Sequence, residues 1–282
     1  MPVTRSAATV GRAERRHAEA QPRELIVSLY GLYAREQPNW LSVASLVRLM
    51  SELGVDAPAV RSSVSRLKRR DTLRSLHIDG AAGYALSPST LKVLRAGDDR
   101  IFNGRRAMIT DGWVLLVFSV PETERDRRHE LRSYLSRLGF GTVTPGVWVA
   151  PSHVAAEAQD VLAGRGLDSY VDMFRADHLA FGDVRAKVGQ WWDLAELSAR
   201  FAQFIAAYAP AARRRGVRSD PAAFREYVPM LTAWRRLPYL DPGLPLGLLP
   251  ARWNGVTAGS VFARLDGRLR EPARRHARSL IG

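Results

Sequence analysis

The chain has 282 residues, 46% of them hydrophobic, and a formal net charge of +14 at neutral pH. It has no cysteine, which excludes disulfides, thiol catalysis and thiolate metal sites, and no apolar run approaches the length of a membrane span. We therefore expect a soluble, cytoplasmic protein of two or three domains without a membrane partner. The cation excess favours a polyanion such as nucleic acid.

The first segment, residues 1–21, is rich in alanine, arginine and glutamate and poor in large apolar residues. It lacks the apolar core of a secretory signal. A segment of this composition cannot bury enough apolar surface to fold alone. We expect a disordered basic tail that contacts phosphates.

Residues 22–104 carry three short helical patterns followed by a hairpin pattern. The second helix has Ser42 as a candidate N-cap and Gly54 as a stop, and the third helix is capped by Asp56. The stretch LRSLHIDGAAGYALS then alternates like two strands around the turn DGAAG. Three helices followed by a hairpin is the layout of a winged helix-turn-helix, and a further helix is predicted over about 88–103.

The third helix of this segment, APAVRSSVSRLKRR, has one apolar and one basic face. Val60, Val64 and Leu67 fall at i, i+4 and i+7, which is one stripe of a helix. Arginine suits phosphate contact and bidentate pairing to guanine, and serines let a helix lie close in the major groove. The alternative is a solvated basic helix. We expect DNA contacts from this helix and the start of the hairpin: Arg61, Ser62, Ser65, Arg66, Lys68, Arg69, Arg70 and Arg74.

Residues 105–185 read as β-α-β-β-α-β, the ferredoxin-like split βαβ pattern. The first strand, in GWVLLVFSVPE, is a continuous apolar run and predicts a strand buried on both faces. The middle strands fold about Thr144, Pro145 and Gly146. Small sheets of this kind have exposed edges that self-association often covers, so we expect a dimerisation domain.

Residues 186–282 are again mostly helical, interrupted by the proline-rich stretch DPGLPLGLLPARWNG. Tryptophan is frequent in the chain, and most of these side chains are expected in the core. A few are expected to line a pocket for a flat apolar effector, with Trp192, Arg252 and Trp253 as candidates. A further arginine set either attracts an anionic ligand or is a solvated loop: Arg213, Arg214, Arg215, Arg235 and Arg236.

The sequence completes none of the enzyme motifs that parts of it suggest. The run GFGTVT has Thr144 where the third glycine of a dinucleotide-binding loop belongs, and His129-Glu130 is followed by Ser133 where a zinc protease has histidine. There is no P-loop and no GxSxG. The sequence therefore predicts no catalytic residue, no metal site and no cofactor.

Several stretches together resemble the PaaX family of bacterial transcriptional regulators: VRSSVSRLKRR, LGFGTVTPGVWVAP, QWWDLAEL and DPGLPLGLLPARW. The resemblance runs from about Pro22 to the end of the chain. It implies an N-terminal winged helix that binds double-stranded operator DNA, a middle domain similar to the ferredoxin-like nuclease of CRISPR adaptation, and a helical C-terminal effector and dimer domain. Carried residue by residue, the DNA-reading role falls on Arg61, Ser62, Ser65, Arg66 and Arg69.

The resemblance also implies a homodimeric repressor of an aromatic, phenylacetate-type catabolic operon, released by an aryl-acyl-CoA such as phenylacetyl-CoA. In the related nucleases a metal-binding aspartate ends the first strand, whereas here Ser119 or Val120 stands at that place. A serine cannot replace a carboxylate in holding a hard divalent cation. The expected fold is α+β. A CoA-thioester-handling enzyme and a metal-dependent nuclease remain the alternatives.

Overall fold

A computed structural model describes residues 20–36, 38–104, 106–179, 181–214, 216 and 218–282. The predicted tail, up to residue 19, lies outside the described residues. The helices are α1 (Pro22–Tyr33), α2 (Val43–Glu52), α3 (Ala57–Arg69), α4 (Pro88–Phe102), α5 (Arg125–Leu138), α6 (Ala155–Ala163), α7 (Val184–Trp191), α8 (Leu194–Arg213), α9 (Asp220–Trp234), α10 (Leu237–Leu240) and α11 (Asn254–Ile281). The strands are β1 (Trp40–Ser42), β2 (Leu73–Ile78), β3 (Ala81–Leu86), β4 (Trp113–Phe118), β5 (Gly141–Thr144), β6 (Val147–Pro151) and β7 (Val171–Ala176).

The chain forms two compact units, and each is discontinuous in sequence. Unit 1 comprises the described residues up to Asp98 together with Phe204–Arg235 and Ala258–Gly282. Unit 2 comprises Asp99–Gln203 and Arg236–Thr257. No helix in the described part of the chain is long and apolar enough to cross a membrane. The prediction of an α+β fold is confirmed.

Unit 1 begins with the winged helix-turn-helix. It contains the three helices α1 to α3 and an antiparallel sheet of order β1-β3-β2, whose first strand lies between α1 and α2 in the chain. The predicted caps form, because the Ser42 hydroxyl accepts a hydrogen bond from the Ser45 amide at 2.9 Å. The Asp56 carboxylate likewise accepts one from the Ala59 amide at 2.8 Å. Such caps satisfy amide groups that the first turn of a helix leaves without partners.

The structure corrects the predicted hairpin in two places. Strand β1 is not predicted, since three residues are too few to show a periodicity, but it pairs with β3, with Leu41 opposite Tyr84. The turn is shorter than DGAAG: it consists of Asp79 and Gly80, whose φ angles of 50° and 75° suit a two-residue hairpin turn. Gly83 lies inside β3, where a Cβ would fall 2.3 Å from the Leu41 carbonyl oxygen.

C-terminal helices complete the core of unit 1. The buried Ser28 of α1 and the buried Thr232 of α9 are hydrogen-bonded through their hydroxyl oxygens at 2.7 Å. Trp234 stacks on Phe262 of α11, with ring centroids 4.6 Å apart and an interplanar angle of 10°. Tyr33 of α1 also contacts Phe224 of α9, with ring centroids 6.0 Å apart, so the winged helix packs against residues about 200 positions away.

Unit 2 contains an antiparallel sheet of order β5-β6-β4-β7, which is the strand order of a ferredoxin-like fold. Helices α5 and α6 cover one face, where Val114, Leu116 and Phe118 of β4 are buried. The prediction that β4 is buried on both faces is wrong, because Val117 points to the other face and is exposed. That face is covered in part by Trp192, which follows α7 and packs against Gly141.

Candidate nucleic-acid interface

Helix α3 is anchored by a narrow buried stripe. Val60, Val64 and Leu67 are all buried, as their spacing predicts, and the helix packs against α1 and α2. Ser63 is also fully buried, which the sequence pattern does not indicate. The residues on the opposite side of the helix are exposed to solvent.

The exposed surface of α3 carries cations and serine hydroxyls but no anion. All seven residues predicted on this helix and its cap for DNA contact are exposed, and no carboxylate lies between Ala57 and Arg69. At roughly 100° per residue, Ser62, Ser65 and Arg69 lie opposite the buried stripe, at the centre of this surface. Arg61 and Arg66 flank that centre on its two sides. Two small hydroxyl side chains between arginines allow close approach to base edges.

The guanidinium of Arg66 is held along the helix by two serines. Its Nη1 donates to the Ser62 hydroxyl at 2.7 Å and its Nη2 donates to the buried Ser63 hydroxyl at 3.1 Å. Both partners lie toward the N-terminus of α3, the end that enters the major groove in helix-turn-helix complexes. The arrangement orders the arginine at that end before DNA is present. Ser63 is thus a residue of the interface that sequence reasoning missed.

Lys68 lies on the wing side of the helix. Its Nζ is 6.0 Å from the centroid of the Tyr84 ring on β3, within the range of a cation–π contact. Arg70 is the C-cap residue and is exposed. Both cations are placed beside the sheet, where phosphate contact is easier than contact with bases.

Arg74 is already paired in the free protein. Its Nε and Nη2 donate to the two carboxylate oxygens of Asp71 at 2.9 and 3.0 Å. These hydrogen bonds hold the pKa of the Asp71 carboxyl below its usual value. The carboxylate occupies the guanidinium edge that a phosphate would use. Asp71 is not among the residues predicted from the sequence, although an aspartate three residues before an arginine indicates a possible ion pair.

The wing has an acidic tip. The turn at Asp79 and Gly80 is exposed, as is His77 on β2. Arg74, by contrast, lies at the base of the hairpin, where it pairs with Ala85 in the β2–β3 register. Cationic contacts from this hairpin therefore come from its base.

The three predicted effector residues occupy different surroundings within unit 2. Trp253 is buried and packs on Phe201, with ring centroids 5.9 Å apart. Trp192 is half-buried, and its Nε1 donates to the Gly139 carbonyl oxygen at 2.9 Å. Arg252 is exposed. Their assignment to an effector stays a prediction.

The predicted arginine set is also dispersed. Arg213 and Arg214 are exposed, and Arg235 is half-buried, donating to the Glu24 carbonyl oxygen at 3.3 Å. Arg215 lies outside the described residues. Among the residues that are described, no group of three or more histidine, aspartate or glutamate side chains is arranged to hold a metal ion.

Comparisons with known proteins identify relatives with the same domain order. Three family models match in order: the PaaX-like protein over residues 21–90, the PaaX protein central Cas2-like domain over 106–188, and the PaaX-like protein C-terminal domain over 192–279. The chain is 28% identical over 241 residues to the Transcriptional repressor PaaX of Escherichia coli (strain K12), a match covering 83% of this chain and 76% of that protein.

A solved structure has a similar fold. It is an uncharacterized protein from Mycobacterium tuberculosis, 24% identical, with a TM-score of 0.55 over 86% of this chain and 93% of that one. At this level of identity the similarity concerns the fold alone.

Proposed function

The chain belongs to the PaaX family, and on that premise we propose that it is a DNA-binding transcriptional repressor. One observation carries the proposal: α3 exposes an uninterrupted cationic surface with serines at its centre, on a helix anchored as the third helix of a winged helix-turn-helix. The Escherichia coli relative is a transcriptional repressor, which agrees with this assignment and favours a regulator over an enzyme.

In this function α3 lies in the major groove. Arg61, Ser62, Ser65, Arg66 and Arg69 contact base edges, because they occupy the N-terminal half and the centre of the exposed surface. The cations near the end of the helix and at the base of the wing bind phosphates: Lys68, Arg70 and Arg74. These contacts supply affinity and register.

We further propose that the repressor acts as a homodimer on a palindromic operator. Dimers with two such helices bind half-sites about 34–36 Å apart, or at multiples of that spacing. The family resemblance makes an aryl-acyl-CoA, such as phenylacetyl-CoA, the proposed effector and an aromatic catabolic operon the proposed target. Release requires only that the effector bind more tightly to a conformer whose two recognition helices are wrongly spaced.

Unit 1 offers a physical link between its C-terminal helices and the DNA-binding helices. Arg225 of α9 pairs with Glu52 at the end of α2 at 2.8 Å. Midway along α2, Arg48 donates through Nε to the Leu280 carbonyl oxygen at 2.9 Å. Helix α2 packs directly on α3. A displacement of α9 or α11 would therefore change the position of the recognition helix.

The test is an electrophoretic mobility shift on the promoter regions flanking the gene, with excess competitor DNA. A sequence-specific shift that phenylacetyl-CoA relieves, and that CoA and phenylacetate do not, is the expected result. A specific shift that no thioester relieves would keep the repressor and reject the effector. Absence of any specific shift at modest salt would reject the proposed function.

A further inference from the structure

Unit 2 contains a cavity of about 370 Å³ that lies outside the DNA-binding surface. Four separate segments form it: residues 107–113 leading into β4, Pro151 at the end of β6, Asp177, His178 and residues 182–184 after β7, and the proline-rich stretch at Pro245 and Leu248. The eight apolar lining side chains include Trp113, Met108 and Val184. The cavity is thus assembled from the last strand connections of the sheet and from a stretch that cannot form regular secondary structure.

The size of the cavity restricts its ligand. A cavity of roughly 150 Å³ holds benzene, and small-molecule sites span about 300–1,000 Å³. A volume of about 370 Å³ therefore accommodates one aromatic ring with a short linker, and a nucleotide does not fit beside it. Only one end of a large effector can enter.

The walls favour a flat apolar group. Trp113 lines the cavity and contacts Trp191 edge to face, with centroids 6.0 Å apart, so its ring is held by a neighbour. Met108 supplies a thioether, which packs favourably against aromatic rings. Val184 and Leu248 add aliphatic surface. The polar lining groups are Asp177, His178 and Asp183, and the last of these caps α7 by accepting from the Arg185 amide at 3.2 Å.

Cations lie next to this lining. A Cβ at Gly182, which lines the cavity, would fall 3.6 Å from Cε of Lys187, so the lysine stem passes this wall. Lys187 has no acidic partner within 4.0 Å among the described residues. Arg185 donates through Nε to the Gly247 carbonyl oxygen at 3.0 Å and thereby ties α7 to the proline-rich wall. A ligand with an apolar head and an anionic tail matches this arrangement.

Exposed apolar side chains concentrate around the same cavity. Leu179 and Phe181 are 92% and 95% exposed, and both lie in the segment 177–184. Met108 and Ile109, which line the cavity, are exposed as well. Phe181 adopts a φ of 68°, which is rare for a bulky residue and recurs at ligand sites. Water-exposed apolar surface of this extent marks a binding site.

We propose that this cavity binds the aryl end of the effector, with the remainder of the molecule leaving past Gly182 toward Lys187. The proposal rests on the proposed function for the identity of the effector, but the cavity and its preference for a flat apolar ring rest on the residues above. It places the ligand at Trp113 and Val184 rather than at Arg252 and Trp253.

The test compares two valine-to-tryptophan variants. Val184→Trp fills the cavity with an indole, whereas Val93→Trp adds the same side chain at an exposed position of α4 that does not line it. Binding of phenylacetyl-CoA is measured by titration calorimetry, and binding of toluene, a bare ring, by ligand-observed NMR. We expect Val184→Trp to weaken both ligands at least tenfold and Val93→Trp to leave both unchanged.

Other outcomes separate the cavity from the proposed function. If the wild-type protein binds toluene but not phenylacetyl-CoA, and Val184→Trp abolishes toluene binding, the cavity stands and the proposed effector fails. If Val184→Trp binds both probes like the wild type, or the wild type binds neither, the cavity proposal is overturned. A change of oligomeric state in Val184→Trp without a change in ligand binding would assign the apolar surface to a protein contact and also overturn it.

A second variant keeps the test independent of folding. Met108 is exposed, so Met108→Glu introduces a carboxylate at the wall without disturbing a core. We expect it to weaken phenylacetyl-CoA and toluene at least fivefold while operator affinity without ligand stays at the wild-type value. Wild-type affinity for both probes in this variant would reject the cavity as their site.

Discussion

We predict that Asp71 restrains DNA binding by neutralising Arg74, so its removal tests the proposed interface directly. The two hydrogen bonds at 2.9 and 3.0 Å engage the guanidinium edge that a phosphate would use. Both side chains are more than half exposed, so the pair lies where DNA can reach it. Asp71 itself has a φ of 50°, which asparagine tolerates, so Asp71→Asn removes the charge and leaves the backbone unchanged.

The expected magnitude follows from counterion release. Each additional phosphate neutralised on B-DNA makes the slope of log K against log salt more negative by about 0.9. If Asp71→Asn frees Arg74 for one phosphate, the variant loses about 3.5-fold more affinity than the wild type between 50 and 200 mM salt. At 50 mM salt we expect the variant to bind DNA of any sequence more tightly than the wild type does. Discrimination between operator and other sequences falls, because a phosphate contact is blind to sequence.

Fluorescence anisotropy with a labelled operator duplex and a scrambled duplex, across 50–200 mM KCl, measures both slopes. Two controls isolate the pair. Asp71→Asn made on an Arg74→Ala background should leave the slope of Arg74→Ala unchanged. Asp79→Asn removes an equal charge that has no arginine partner within 4.0 Å in the part of the chain that the structure describes. An unchanged slope in Asp71→Asn, or an equal change in Asp79→Asn, would refute the reasoning.

Three further predictions test the helix, the shared core and an ion pair. Arg66→Ala should cost about 1–3 kcal/mol of operator binding and relax specificity at one base position, as measured by anisotropy with a panel of single-base operator variants; unchanged affinity would remove it from the base-reading set. Thr232→Val should lower the free energy of unfolding by about 1–3 kcal/mol, because it leaves the buried Ser28 hydroxyl without its partner, and Thr232→Ser should largely restore it in urea denaturation. The pKa of the Asp220 carboxyl is lowered by hydrogen bonds from Arg275, so its stabilising contribution is present above the ordinary value of 3.8 and lost as pH falls through the folded-state pKa. Asp220→Asn should therefore lower Tm at pH 7 and converge with the wild type near pH 2; an equal difference at both values would contradict the linkage.

Local patterns were sufficient for much of the DNA-binding surface. The buried stripe of α3 follows from the i, i+4, i+7 spacing of Val60, Val64 and Leu67, since helical period alone decides which side is apolar. The side chains of Ser42 and Asp56 each accept a hydrogen bond from the amide three residues later, so these caps too could be predicted from the sequence. The seven polar residues predicted on the other face of α3 and at its cap are all exposed for the same reason.

Contacts between distant segments could not be predicted from the sequence. Ser63 looks like one more exposed serine in the sequence, yet it is buried and holds Arg66. Strand β1 exists only because β3 passes beside it. A three-residue segment has no period, and burial of a single polar residue leaves no pattern in the residues around it.

Residues a few positions apart decide which helix faces are apolar, where the helices begin, and that the third helix presents cations, so these properties follow from the sequence. What each apolar face packs against depends on the folded chain. Folding joins Ser28 to Thr232, buries Trp253 against Phe201, and brings four distant segments together around the cavity at Trp113. Hydrophobic periodicity records that a surface is buried and carries no information on its partner, so such contacts appear only when the chain is folded.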